Sequence, residues 1–324
     1  MNALLCRGLG PIENLAWVDV ESPPCGPRQV RFRTTVATLG FMDVLMVRGL
    51  YQHKPSLPYI PGSVSAGVVT EVGAEVKAIR VGQRVSASAM SGAFAEERVA
   101  DEEVLLVTPD DMDDEQATSL RLTFTPSYLA LVVRARLQAA ETLVVTGATG
   151  GISYSAMQLG RHLGARVIGA VGSDAKVAYL RQQGFAEAIN YSRESFKDRV
   201  NALTEGRGAD VIFEVIGGEI FEQSLRCINA GGRVLVLGFA SGRIGQVPAN
   251  LPLLKNAAVM GSFLGGWKKH DPQGIAAMTR EIVRILSESG MRTPIARTFK
   301  MAEGAQAMKA LLSRTVSGKI MLVP

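Results

Sequence analysis

The chain has 324 residues, of which 47% are hydrophobic and 20% charged, so it can build two domains with apolar cores and is not intrinsically disordered. The 35 basic and 30 acidic residues are interleaved, and the densest basic run, KKH at 268–270, is typical of a solvated loop. The charge pattern therefore gives no reason to expect a nucleic-acid partner.

The first third of the chain carries short β-type runs separated by glycine and proline. Between residues 28 and 107 these runs are VRFRTTVATL, VSAGVVTEV, QRVSASA and FAEERVA. Their spacing is that of hairpins in a barrel, which predicts a mainly-β domain. The following stretch, VTPDDMDDEQATSL, has an acidic start and an apolar continuation that predict a capped helix, and the pattern changes there.

Strands then alternate with amphipathic helices. The predicted strands are TLVVTG, ARVIGAV, EAINY, DVIFEVIG and GRVLVLG, and AAVMGSF adds another. Continuous apolar strands joined by helices predict an α/β, doubly wound parallel sheet with helices on both faces. The tail has two more helical patterns and ends in the apolar GKIMLVP, which we expect to pack on the first domain. The predicted domains are 1–118 completed by 264–324, and 119–263.

The glycine-rich turn VVTGATGGISYSAMQLG follows the first strand of this second domain and opens a helix. Gly147, Gly150 and Gly151 let the backbone turn tightly and approach a pyrophosphate, whose charge is met by N–H groups at the helix start. Ser153 stands where a third glycine usually allows helix and strand to approach. Its hydroxymethyl group is expected to weaken the motif without abolishing it, and the hydroxyl can bond to the backbone near the helix start.

The end of the second strand, about 20 residues on, distinguishes the two nicotinamide cofactors. NAD sites place an acid there, whereas this chain has Gly172 and Ser173 at the tip, with Asp174 one place beyond as a helix N-cap. Lys176 can meet a 2′-phosphate. The pattern predicts NADPH rather than NADH.

Cysteine and histidine usage argues against metal and disulfide sites. Cys6, Cys25 and Cys227 are far apart, so no disulfide framework or CxxC site is expected. The three histidines show no ligand spacing. No apolar stretch reaches the ~20 residues of a bilayer span and no secretory leader is recognisable, so we expect no membrane partner and a reducing, cytoplasmic location.

Longer segments give a specific resemblance that covers nearly the whole chain. They are RGLYQHKPSLPYIPG, AGVVTEVGAEVKAIRVGQRV, YLALVVRARLQAAETLVVTGATGGIS, AINYSRESF, VIGGEIFEQSLRCINAGGRVLVLGFASGRI, PANLPLLKN and SGKIMLVP. In these segments the chain resembles the zinc-free NADPH:quinone oxidoreductases of the medium-chain dehydrogenase/reductase superfamily. GFMD and PGSVSAG occupy the stretches where metal-dependent relatives carry ligands, so no metal is expected.

The resemblance implies a GroES-like barrel domain, a Rossmann domain with NADPH in the cleft, and a homodimer paired through the last Rossmann strand around 259–263. It also implies the roles of individual residues. Those expected to bind the cofactor are Tyr51, Gly150, Gly151, Ile152, Ser173, Lys176, Tyr191, Gly217, Gly238, Phe239, Phe263 and Gly265.

Three further positions depart from the family pattern near the cofactor. Gly40 replaces a common asparagine, Val64 an acidic residue and Pro126 a threonine that often touches the nicotinamide. With Ser153, these changes predict either altered substrate selectivity or weakened cofactor binding.

The resemblance implies hydride transfer to a small-molecule quinone or activated alkene, the latter an α,β-unsaturated carbonyl compound. Reduction also needs a proton source. Tyr51 is the first candidate and Asp43 the second, with a bound water as an alternative. Both side chains also have structural interpretations, Tyr51 as a cover of the cleft and Asp43 as a helix cap.

Two competing hypotheses remain open. One is a cofactor-binding protein with little or no turnover, acting as a scaffold or binding RNA. The other keeps the enzyme and changes the acceptor to an enoyl thioester.

Overall fold

The computed structural model describes residues 1–324. The chain forms two compact units, one of Met1–Leu122 with Arg292–Pro324 and one of Thr123–Met291. The tail after residue 292 lies in the first unit, as expected. Residues 264–291 were assigned to the first domain in the predicted division, but they lie in the second unit. The boundary between the units falls after residue 122, whereas it was predicted after residue 118.

The elements are numbered in chain order. The strands are β1 (Asn2–Cys6), β2 (Leu15–Asp19), β3 (Gln29–Leu39), β4 (Val64–Val72), β5 (Arg84–Ser88), β6 (Glu97–Asp101), β7 (Leu105–Val107), β8 (Thr142–Thr146), β9 (Arg166–Val171), β10 (Ala188–Asn190), β11 (Ala209–Glu214), β12 (Ile228–Val236), β13 (Ala258–Gly261), β14 (Ile295–Lys300) and β15 (Lys319–Val323). The helices are α1 (Phe41–Val47), α2 (Asp114–Ser119), α3 (Thr125–Tyr128), α4 (Gly151–His162), α5 (Asp174–Gln182), α6 (Phe196–Leu203), α7 (Gly218–Cys227), α8 (Asn250–Lys255), α9 (Leu264–His270), α10 (Pro272–Ser289) and α11 (Gly304–Leu312).

The first unit is built on a sheet in the order β14-β15-β3-β4-β5-β7, with β6 also paired to β3. Strand β3 shows the alternation expected of a half-buried strand, since Val30 and Phe32 are fully buried on one face. The C-terminal strand β15 runs antiparallel to β3, with Ile320 opposite Leu39. The expectation that GKIMLVP packs on the first domain is therefore confirmed.

The second unit contains a six-stranded parallel sheet in the order β10-β9-β8-β11-β12-β13. Strand β8 is buried along its whole length because helices cover both faces. Leu143 packs in one core with Met157 of α4, whereas Val144 packs in another with Phe196 of α6. The predicted α/β, doubly wound fold with an additional mainly-β domain is confirmed.

Helix α10 explains why residues 264–291 lie in the second unit. Met278, Ile282, Ile285 and Leu286 recur at helical spacing and are all buried. Ile285 packs in the same apolar core as Leu131, so this face is covered by the second unit. At 18 residues α10 is the longest helix, and neither it nor any other helix has the length and apolarity to cross a membrane.

Candidate functional site

The glycine turn joins β8 to α4. Gly147 has φ +58°, a left-handed conformation that glycine adopts without strain, and a Cβ there would lie 3.0 Å from Val215 Cγ2. Gly150 is the N-cap of α4 and brings no side chain to the N–H groups of the first turn. Gly151 and Ile152 are the first two residues of that turn. The turn thus leaves room and backbone donors for an anion, which fits the pyrophosphate of a dinucleotide.

Ser153 is buried in the first turn of α4. Its hydroxyl donates a 2.8 Å hydrogen bond to the main-chain oxygen of Thr146, the last residue of β8. The expected local bond to backbone is therefore present, and it joins helix to strand.

The end of β9 brings Ser173 and Tyr191 together around Gly172. Ser173 is the N-cap of α5, and its hydroxyl accepts a hydrogen bond from the Lys176 N–H at 3.4 Å. A Cβ on Gly172 would lie 3.2 Å from the Tyr191 ring, so a larger residue there would require this ring to shift. The residues predicted for the 2′-phosphate thus share one corner of the sheet.

The N-cap prediction for Asp174 is wrong, because Ser173 takes that role. Asp174 is the first residue of α5, and its carboxylate accepts from Asn190 Nδ2 at 2.6 Å. It also pairs with the Arg193 guanidinium at 2.7 Å. Arg193 was not among the predicted residues, because its contact with Asp174 depends on the packing of β10 beside β9.

Gly217 follows β11 with φ +75°, and the predicted Gly238 and Phe239 follow β12. These two turns are joined by backbone, since the Ala240 N–H donates to Val215 O and the Ser241 N–H to Ile216 O, both at 2.8 Å. The structure therefore brings these three predicted residues together beside the glycine turn.

Glu214, the last residue of β11, was missed by the sequence analysis. Its side chain is fully buried, and its carboxylate accepts hydrogen bonds from the N–H groups of Ile216 and Gly217. Burial raises its pKa to about 7 despite these hydrogen bonds. The acid inside an otherwise apolar run, FEVIGG, was the available signal.

Phe263 and Gly265 lie beyond the edge strand β13, at the beginning of α9. The Phe263 side chain is 55% exposed, so it is not a core residue. Gly265 approaches it closely, because a Cβ there would lie 2.9 Å from the Phe263 ring.

The two proton-donor candidates belong to the first unit. Asp43 is 2% exposed and caps α1, its Oδ2 accepting from the Gly40 N–H at 2.8 Å. Burial raises the pKa of Asp43 to about 6, although the hydrogen bond from the Gly40 N–H and the charge of Arg98 lower it. The helix was expected to start at Val44 with Asp43 before it, but it begins at Phe41 with Gly40 as N-cap, so Asp43 caps the helix from inside its first turn. Tyr51 is partly buried, and this burial together with the Asp43 charge raises the pKa of its phenol.

The space around position 40 favours glycine over a larger residue. A Cβ there would lie 3.2 Å from Asp43 Oδ2 and 3.4 Å from Leu122 Cδ1, so a larger side chain needs its neighbours to move. Val64, another departure, is buried on β4, and Pro126 lies in α3, which directly continues the helical turn of Leu120–Phe124.

A catalytic zinc site needs several His, Cys or acidic side chains in one place. No three His, Cys, Asp or Glu side chains form a group that could hold a metal ion. Cys6 is buried and donates to Gly8 O at 3.4 Å, and Cys227 is buried in the other unit. All three cysteines are free thiols.

Two family models match the chain. The model described as alcohol dehydrogenase GroES-like domain matches residues 26–110, and the model described as zinc-binding dehydrogenase matches residues 151–281. Both matches fall within the two units described above, one in each.

Similar proteins cover almost the full chain. Quinone oxidoreductase-like protein 2 homolog of Nematostella vectensis is 35% identical over 99% of this chain and 88% of its own. The solved quinone oxidoreductase of Pseudomonas syringae is 30% identical, with TM-score 0.90 over 100% of this chain and 99% of that one. The Escherichia coli quinone oxidoreductase complexed with NADPH shares the fold at 24% identity, with TM-score 0.90 and 100% of both chains covered. The chain therefore belongs to the quinone oxidoreductase family of the medium-chain dehydrogenase/reductase superfamily.

Proposed function

We propose that this protein is an NADPH-dependent, metal-free reductase that transfers hydride to a quinone or an α,β-unsaturated carbonyl compound. The observation that carries the proposal is that Ser173, Lys176 and Tyr191 meet at the end of β9, which pairs with β8, and that the helix after β8 begins at Gly150 without a side-chain cap. Such a corner suits a 2′-phosphate and a pyrophosphate held by one dinucleotide. The NADPH complex of the Escherichia coli relative supports this choice of cofactor.

Different residues of the chain would bind different parts of the cofactor. Gly150, Gly151 and Ile152 would hold the pyrophosphate, Gly151 and Ile152 through their N–H groups and Gly150 by bringing no side chain to it, since its own N–H donates to Gly147 O; Lys176 would neutralise the 2′-phosphate. Gly217, Gly238 and Phe239 would position the ribose and nicotinamide, with Phe263 and Gly265 near the ring. When bound, the cofactor supplies the hydride, so the protein's task is placement and exclusion of water.

Reduction of the acceptor is complete only when its oxygen gains a proton. We assign this proton to Tyr51, whose phenol has an ordinary pKa of 10.0 and is therefore protonated at neutral pH, and burial raises this pKa further. Asp43 is the weaker candidate because its carboxylate already caps α1. A water molecule can also deliver the proton.

We also propose a homodimer that pairs through β13. This strand is the edge of the parallel sheet, and it follows α8, whose Leu253 and Leu254 side chains are about three-quarters exposed. The three free thiols suit the reducing cytoplasm.

The test of function is a fluorescence titration with NADPH and NADH, followed by turnover on a naphthoquinone, a short enal and an enoyl-CoA. We expect micromolar binding of NADPH with a clear margin over NADH, and turnover of the quinone or the enal. Reduction of the enoyl-CoA alone would change the substrate class. Binding without turnover of any acceptor would favour the non-catalytic protein, and a salt-dependent gel shift would then test RNA.

A further inference from the structure

Glu214 is a buried acid with no basic side chain among its hydrogen-bond partners. Its Oε1 accepts from the Ile216 N–H at 2.8 Å, the Gly217 N–H at 3.1 Å and the Thr146 hydroxyl at 3.3 Å. Its Oε2 accepts from the same Gly217 N–H at 3.0 Å. The carboxylate thus lies in a turn whose backbone donors converge on it, as they would on a bound anion.

The turn at 215–217 is shaped by these bonds together with Thr146. The Val215 N–H donates to Thr146 Oγ1 at 3.0 Å, so three successive N–H groups are held by two side chains. Gly217 has a positive φ, and a Cβ there would lie 2.4 Å from Arg243 O. The turn has little freedom to move while Glu214 holds it.

The turn 215–217 also holds the loop after β12. The carbonyl groups of Val215 and Ile216 accept from Ala240 and Ser241, which directly follow Phe239. Through two backbone bonds, the Glu214 carboxylate fixes the segment that carries Gly238 and Phe239.

On its other side the turn touches the glycine turn. A Cβ on Gly147 would lie 3.0 Å from Val215 Cγ2 and 3.2 Å from Ile216 Cδ1. Thr146, which bonds to both Glu214 and Val215, directly precedes Gly147. One carboxylate therefore links the ends of β8, β11 and β12.

Stability alone is a poor reason for this arrangement. A buried carboxylate loses its hydration, and the raised pKa of Glu214 shows that its hydrogen bonds do not fully replace that hydration. An apolar side chain at the end of a buried strand would avoid this cost. We therefore expect that the acid serves to fix the conformation of the two turns.

We propose that Glu214 is a positioning residue that holds the turn 215–217 and the loop 238–241 in the form that receives the ribose and nicotinamide of the cofactor. The proposal rests on the proposed function. It assigns Glu214 to one half of the site only, because its carboxylate bonds to Thr146 at the end of β8 and to the turn after β11, whereas the Ser173 and Tyr191 corner lies at the end of β9.

The test compares Glu214→Gln with wild type in binding NADPH and 2′,5′-ADP, which carries the 2′-phosphate half without the nicotinamide. The glutamine amide keeps the size but turns one acceptor into a donor that faces N–H groups. At pH 8, above the Glu214 pKa of about 7, we expect the Kd for NADPH to rise about tenfold or more, as losing charge-assisted hydrogen bonds predicts, and the Kd for 2′,5′-ADP to stay within about twofold. Glu219→Gln, an exposed neighbour on α7, should match wild type for both ligands.

Equal weakening of both ligands, or of neither, would overturn the proposal. Thr146→Val removes only the hydrogen bonds of the Thr146 hydroxyl to Glu214 and Val215. It should also weaken NADPH binding more than 2′,5′-ADP binding, by a smaller factor, and it tests the proposal if Glu214→Gln does not fold. Wild-type binding of NADPH is measured first. If the wild type does not bind NADPH, the proposed function is overturned, and this inference with it.

Discussion

The Ser153 hydroxyl bonds to the Thr146 main-chain oxygen at 2.8 Å and so joins the beginning of α4 to the end of β8. A glycine at this position would allow the two elements to approach but would provide no such bond. In this chain a serine hydrogen bond therefore holds α4 to β8, where a glycine would let the two elements pack more closely. This bond lies at the turn where the pyrophosphate is proposed to bind.

Removing this bond should destabilise the second unit. We expect Ser153→Ala to lower the free energy of unfolding by about 1 kcal/mol, the usual contribution of a buried hydrogen bond. Ser153→Gly should cost up to about 1 kcal/mol more, because glycine is a poor helix former. Urea denaturation measures both. A more stable Ser153→Gly protein would show that the serine overpacks the turn instead.

Lys176 should determine cofactor preference. Lys176→Ala is expected to weaken NADPH binding about tenfold, because the 2′-phosphate loses a charged partner, and to leave NADH binding nearly unchanged. Fluorescence titration with both cofactors measures the ratio. Arg181→Ala removes an exposed charge from the same helix and serves as the control. Equal loss of both cofactors would remove Lys176 from the 2′-phosphate site.

Tyr51→Phe tests the proton donor. If the phenol supplies the proton, kcat should fall by about 100-fold with little change in the Kd for NADPH, as loss of a general acid predicts. Steady-state turnover of the accepted quinone or enal, with NADPH titration beside it, gives both quantities. Unchanged kcat would leave Asp43 or water as the source, and a parallel Asp43→Asn protein distinguishes these two after its folding is checked.

Lys319 should make the stability of the first unit depend on pH. Its ammonium group is buried beside Ser119 Oγ at 2.7 Å, and burial lowers its pKa from 10.5 to about 7. The unfolded chain therefore binds more protons between pH 7 and 10.5, so the free energy of unfolding rises with pH in that window. From about pH 7 to about pH 9 the Lys319 contribution is roughly 2 kcal/mol.

Lys319→Met removes this titration and should flatten the rise, whereas Lys77→Met, at an exposed site in the same unit, should keep it. Urea denaturation at the two pH values gives the slopes. A Lys319→Met protein with the wild-type slope would assign the pH dependence to other groups.

Leu254 tests the dimer. Its side chain is 76% exposed on α8, so Leu254→Asp should place a charge in the proposed interface and convert a dimer to a monomer in sedimentation velocity. Val81→Asp changes an exposed apolar side chain in the first unit and should leave the dimer intact. A wild-type monomer at micromolar concentration would contradict the proposed pairing.

Features encoded in adjacent residues were predictable from the sequence. The apolar run of β8, the glycines at 147 and 150 and the helical period of α4 together predict a strand, a turn and a helix start, because backbone conformation follows local residue type. The α/β alternation likewise predicted the parallel sheet. A capping role for Asp43 was also predictable because an aspartate beside an apolar helical run is typical of a helix start, although the start itself lies at Phe41, three residues before Val44.

Tertiary structure alone decided contacts between distant segments. Glu214 meets Thr146 across 68 residues, and Gly40 is crowded by Leu122, but neither pairing leaves a period or motif in the chain. The same holds for α10, whose apolar face is visible in the sequence but whose covering unit is not. An amphipathic pattern specifies that a face is buried, and only packing specifies which surface buries it.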